Sequence, residues 1–159
     1  MSQIGRRQLL IGGTAGALGI AAVALGPATA ALADDGDGLV GTWDVQITDL
    51  TASGGPATFE GATTFAPGGG VVSMDAASPS TGLGSWSAGE KGGSFKARFM
   101  QFAFNPNGSP GGKVVVTIVG KLTGHTIKGT FTYVVFASNG IVFFPRGKGT
   151  FTGTRFEAA

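Results

Sequence analysis

Beyond Leu39 the apolar residues of this chain recur at every second position, and turn residues break the rhythm at short, regular intervals. That pattern admits strands with one face in a core and the other in solvent, and it leaves no stretch with the 3.6-residue period of a helix. Over residues 39–50, Trp43, Val45 and Ile47 alternate with Asp44, Gln46 and Thr48. Residues 57–66 set Phe59 and Phe65 on one face, and Thr58, Glu60 and Thr64 on the other. Residues 71–76 and 83–88 read as short strands separated by a Ser/Pro-rich stretch, 77–82. Over 94–105, Phe95, Ala97 and Phe99 alternate with Ser94, Lys96 and Arg98, and the apolar phase then shifts to Phe102 and Phe104. A β-bulge at Met100-Gln101 would return these aromatics to one face. Residues 113–122 turn Val114, Val116, Ile118 and Leu122 inward, and 126–137 do the same with Ile127, Phe131, Tyr133 and Val135. A last strand starts at 141–144, is interrupted by Pro145-Arg146-Gly147, and finishes over 148–156.

The links between these runs are short. Residues 67–70, 88–93, 105–112 and 123–125 are turn or loop sequences. Ser138-Asn139-Gly140 predicts a hairpin whose Asn-Gly pair takes the positive φ angles of a type I′ turn. Hairpin links between about eight strands predict an all-β fold, an antiparallel up-and-down barrel over 39–157. Closure is favoured over a sandwich because it removes the edges that Thr-rich strands would offer to other chains.

Residues 1–33 have a different character. Arg6 and Arg7 stand side by side ahead of an apolar run, 9–25, rich in Ala, Gly, Leu and Ile. Pro27 and two small-x-small sites follow, Ala28-Thr29-Ala30 and Ala31-Leu32-Ala33. These are the parts of an export signal, and the paired arginines point to the twin-arginine route. Cleavage is expected after Ala33, with 34–38 as a polar linker ahead of the barrel. The export partners would be the twin-arginine translocase and a signal peptidase, and the destination extracellular or the cell envelope. The apolar run falls short of the ~20 residues of a membrane span, so a retained anchor is the less favoured alternative.

The chain carries 11 Lys+Arg against 9 Asp+Glu. Two of the cations are Arg6 and Arg7, so the part beyond Ala33 holds 9 of each sign. Nucleic-acid binding thereby loses its electrostatic basis. The absence of cysteine rules out disulfides, thiolate chemistry and cysteine metal sites, so packing must hold the fold alone.

The first strand carries Gly41-Thr42-Trp43 and the last carries Gly153-Thr154-Arg155. This resembles the calycin superfamily, the lipocalins and their relatives, in which a Gly-x-Trp begins the first strand and a late arginine packs across the indole. The resemblance spans 39–156 in architecture but rests on few residues. The C-terminal helix and other motifs of true lipocalins are missing, so a small lipocalin-like secreted barrel of the actinobacterial kind is the nearer description. It implies structural roles for Trp43 and Arg155, an aromatic plug with a guanidinium on its face. A weaker similarity, in size and strand number alone, is to the allene-oxide-cyclase and dirigent barrels.

Residues that carry chemistry are few. The single histidine, His125, sits in a turn, and with no cysteine no metal site is expected. Asp34, Asp35 and Asp37 lack the further oxygen ligands of a calcium site. The glycine runs lack the helix and lysine of a phosphate loop, and no cofactor is expected. Phenylalanine is abundant, 12 in all, and mostly on inner faces. It predicts an interior site for a small apolar ligand, lined by Phe59, Trp86, Phe99, Phe102, Phe131 and Tyr133. Tyr133 and Gln101, with Arg98 and Glu60 if the register brings them in, are the groups through which a cofactor-independent cyclase or isomerase would act. An envelope interaction module, with a filled interior and an exposed apolar patch, is the third reading. Ligand identity and oligomeric state are not legible in the sequence.

Overall fold

β-Branched and aromatic residues are frequent in the runs between turns, and in the computed structural model, which describes residues 38–157, these runs are extended. The strands are β1 (Gly41–Asp49), β2 (Ala57–Phe65), β3 (Gly70–Asp75), β4 (Ser78–Ala88), β5 (Ser94–Phe104), β6 (Pro110–Thr123), β7 (Thr126–Ala137) and β8 (Val142–Arg155). Each pairs antiparallel with the next, and β1 also pairs with β8, closing an eight-stranded up-and-down barrel. The expected all-β barrel is what the chain forms. No helix among the described residues is long and apolar enough to cross a membrane. The export signal, and residues 34–37 of the linker, lie outside the described residues.

The inward side chains divide the barrel along its axis. At the end where β1 begins, Trp43, Phe65, Val71, Phe95 and Ile127 are the most completely buried side chains, with Trp86 and Leu122 packed against their cluster. Phe65 meets Trp86 and Phe95 edge-on, with centroids 5.8 and 5.3 Å apart. Burying five such side chains stabilises the fold by on the order of 10 kcal/mol. Arg155 lies over the Trp43 ring, 4.7 Å from its centroid. Its Nη1 donates to the Val40 carbonyl at 2.8 Å and its Nη2 to the Gly38 carbonyl, while Trp43 Nε1 donates to the Leu39 carbonyl at 2.9 Å. Gly41 makes this possible: its φ is +134°, and a Cβ there would stand 2.6 Å from Arg155 Nη1.

Four local expectations are corrected. There is no bulge at Met100-Gln101: the ladder to β6 runs unbroken from Ser94↔Lys121 to Ala103↔Gly112, and the irregularity falls at Ala103/Phe104. Strict alternation therefore turns Gln101 inward and Phe102 and Phe104 outward. β4 begins at Ser78, well before residue 83, because β3 and β4 are joined by a tight turn at Ala76-Ala77. The polar composition of 77–82 disguised this, and Ser80 Oγ accepts from the Phe102 amide at 3.1 Å, a side chain tying β4 to β5. Asn139 does not take positive φ; Gly140 alone does, at +82°. Gly140 N donates to the Ala137 carbonyl and Ala137 N to the Ile141 carbonyl, the three-residue hairpin with a glycine bulge. Pro145-Arg146-Gly147 does not break β8; two register shifts opposite Val135 absorb the extra residues as bulges, where a proline is tolerated.

Candidate ligand cavity

Beyond the aromatic plug the interior is not filled. A cavity of about 210 Å³ extends toward the end where β1 finishes and β3 turns into β4. Its wall is largely apolar: Val45 and Ile47 from β1, Phe99 from β5, Val116 from β6 and Phe131 from β7 face it. β8 makes room for the rings. It turns Gly147 and Gly149 inward opposite Tyr133 and Phe131, and a Cβ on either glycine would strike the facing ring. Phe131 and Tyr133 stack with centroids 6.3 Å apart, and Phe144 lies 5.9 Å from Tyr133.

The polar groups form three hydrogen-bonded sets. Tyr133 Oη donates to Asp49 Oδ2 at 2.7 Å, and Asp49 Oδ1 accepts from the Thr51 amide at 2.7 Å and the Thr51 hydroxyl at 2.8 Å. Gln101 Nε2 donates to Asp75 Oδ2 at 2.9 Å. The hydroxyls of Thr63 and Ser73 bond to each other at 3.0 Å on the buried wall between β2 and β3. Burial pushes the Asp49 carboxyl upward, but the hydrogen bonds from Thr51, Tyr133 and the Ala52 amide outweigh it and hold the group below its ordinary 3.8. Tyr133 moves above 10.0, first because of burial and further because its proton is held by the negative Asp49, with the Thr51 bond opposing.

The expected lining residues separate into two groups. Phe59, Phe99, Phe131 and Tyr133 face the cavity. Trp86 does not: it points inward at the plugged end, where its Nε1 donates to the Ala66 carbonyl at 2.9 Å. Phe102 does not either, because without a bulge its phase is outward and it is 54% exposed. Of the polar candidates, Tyr133 and Gln101 face the cavity, whereas Arg98 and Glu60 are exposed on the outer wall. A reaction inside the barrel would thus have to run without those two. Asp49 and Asp75 escaped sequence reasoning although a signal was present: each continues the inward parity of its strand, after Trp43, Val45 and Ile47 and after Val71 and Ser73.

His125 lies at the plugged end, exposed, 3.7 Å from Glu157. No group of three or more His, Asp or Glu side chains among the described residues is placed to hold a metal. On the outside, Val72, Leu83, Met100, Val115 and Val134 stand in one cross-strand row over five adjacent strands. Met74 and Phe102 flank it, and Leu83 is 64% exposed. No protein-family model, curated protein or solved structure matches this chain.

Proposed function

We propose that this chain is a small exported barrel of the lipocalin-like kind that holds one small, mainly apolar molecule in its open half. The cavity carries this reading: its wall is largely apolar, it lies opposite a plugged end, and it is somewhat larger than the ~150 Å³ that admits benzene. A ligand of one ring with a short substituent fits that volume. The Arg155–Trp43 stack over Gly41 supports the kinship, and Arg6-Arg7 with the Ala33 site supports export.

Native mass spectrometry of protein purified from its own host is expected to show one retained small molecule. Calorimetric titration of empty protein with 2-phenylethanol is expected to show saturable 1:1 binding that Val116→Phe abolishes. A host-purified protein without ligand, together with no saturable binding in the titration, would overturn the reading. For export, the secreted protein should begin at Asp34, and a double Arg6→Lys, Arg7→Lys change should retain it in the cell; export of that double variant at the normal level excludes the twin-arginine route.

The outer row favours a second and compatible reading, that this wall pairs with the same wall of a second copy. A contiguous apolar row on regular strands exceeds the scattered exposed residues normal for a monomer, and two identical neutral rows can meet about a two-fold axis. Sedimentation is expected to show a dimer that Leu83→Lys dissociates. A monomer at all accessible concentrations refutes it.

A further inference from the structure

The charge of the cavity is one-sided. Two carboxylates, Asp49 and Asp75, line it, and among the described residues no Lys, Arg or His does. The hydrogen bonds at this end converge on the two carboxylates. The hydroxyl protons of Tyr133 and Thr51 both go to Asp49, and one amide proton of Gln101 goes to Asp75. The amide orientation of Gln101 follows from chemistry, since a carboxylate partner only accepts. Gln101 is 4% exposed and lines the cavity, and its Oε1 has no hydrogen-bond partner among the described residues. Asp49 has its lone pairs filled and contributes its charge, whereas two acceptors stay open to the space: Asp75, which among the described residues accepts only from the Ala77 amide and Gln101, and the Oε1 of Gln101.

From this we infer that the occupant is a small primary amine in its ammonium form, with an apolar one-ring body: the ring sits among Val45, Ile47, Phe99 and Phe131, and the ammonium stands at the Asp49 and Asp75 end. The inference rests on the binding reading above and names its ligand class. An ammonium brings three donors and no acceptor, which suits the open acceptors of Asp75 and Gln101. It also supplies the counter-charge that carboxylates beside an apolar wall otherwise do without, and the faces of Phe131 and Tyr133 offer it cation–π contact. An anionic ligand would meet two like charges and no cation. A neutral alcohol would satisfy one acceptor and leave the other unchanged. A fatty acid therefore does not suit this interior.

The test compares three isosteres by calorimetry on the full barrel at neutral pH: 2-phenylethylamine, 2-phenylethanol and phenylacetate. The amine is expected to bind at least tenfold tighter than the alcohol, and phenylacetate to give no detectable heat. Asp49→Asn and Asp75→Asn, each checked for an unchanged near-UV spectrum, are expected to reduce the preference for amine over alcohol severalfold. Alcohol or phenylacetate binding as tightly as the amine overturns the amine assignment while leaving the binding reading standing. Failure of all three to bind strikes the binding reading itself. An amine preference that survives both substitutions overturns the assignment to these carboxylates. The wild-type series decides the ligand class even if a variant does not fold.

Discussion

Tyr133 donates its hydroxyl proton to Asp49 at 2.7 Å across the unplugged end of the barrel, between residues 84 apart in sequence. Their strands are not neighbours: β8 lies between them, and Gly147 on β8 leaves the space over which the ring reaches. One hydrogen bond thus spans three strands and fixes the position of a carboxylate in the cavity wall.

Tyr133 is the only tyrosine, so ultraviolet difference titration of the intact protein reads it alone. Its midpoint is expected above 10, because burial and Asp49 both favour the protonated phenol. Asp49→Asn is expected to lower the midpoint without returning it to the ordinary value, since burial, the larger cause, remains. An unchanged midpoint in that variant would show that the bond does not exist in solution.

Asp49 also sets an acid limb of stability. Its folded-state pKa lies below its unfolded value, so its contribution is present above about pH 4 and is lost as pH falls through the folded value. Urea unfolding from pH 7 to pH 2 is expected to show a gap between wild type and Asp49→Asn at neutral pH that closes in acid. Tyr133 works in the opposite sense: its contribution holds below about pH 10 and fades as pH rises through its raised value. Tyr133→Phe removes one hydrogen bond and is expected to cost about 1 kcal/mol at pH 7.

At the plugged end, Arg155→Ala removes a stacked cation and two hydrogen bonds to carbonyls, those of Gly38 and Val40. The expected cost is about 2–4 kcal/mol by urea unfolding. Lysine is expected to recover little, because it lacks the planar fork that stacks and donates twice. Trp43→Ala is expected to cost about 3–5 kcal/mol, since the indole is 0% exposed.

A pair of phenylalanines tests the register of β5. Phe99→Ala is expected to cost about 3–5 kcal/mol. Phe102→Ser, three residues on, is expected to change stability by less than about 0.5 kcal/mol. Similar losses in both would mean that a bulge does turn Phe102 inward.

The barrel was legible because period-2 alternation and turn chemistry agree along most of the described chain. What misled was local. Phe102 and Phe104 look like core residues by composition, and only the partners across β6 show that their phase is outward. Ser78 and Ser80 look like loop, but a tight turn at Ala76-Ala77 sets them in a strand. Asp49 and Asp75 look like turn residues, and Asp75 indeed accepts from the Ala77 amide at 3.0 Å. Their second role, facing the cavity, follows from parity joined to closure, and closure is a property of the whole chain that no single window carries. The parity of β4 turns Trp86 inward, opposite Ala97, but which half of the barrel it occupies depends on the axial position of its ring against Phe65.

The seam between β1 and β8 also sets an order in time. Trp43 is among the first barrel residues to leave the ribosome, and Arg155, which covers it, among the last. Until β8 emerges, seven strands form at most an open sheet with two raw edges and an uncapped indole. A chain without β8 therefore differs from the closed barrel in a way that proteases and chaperones can sense, and the arrival of β8 is the event that seals the barrel.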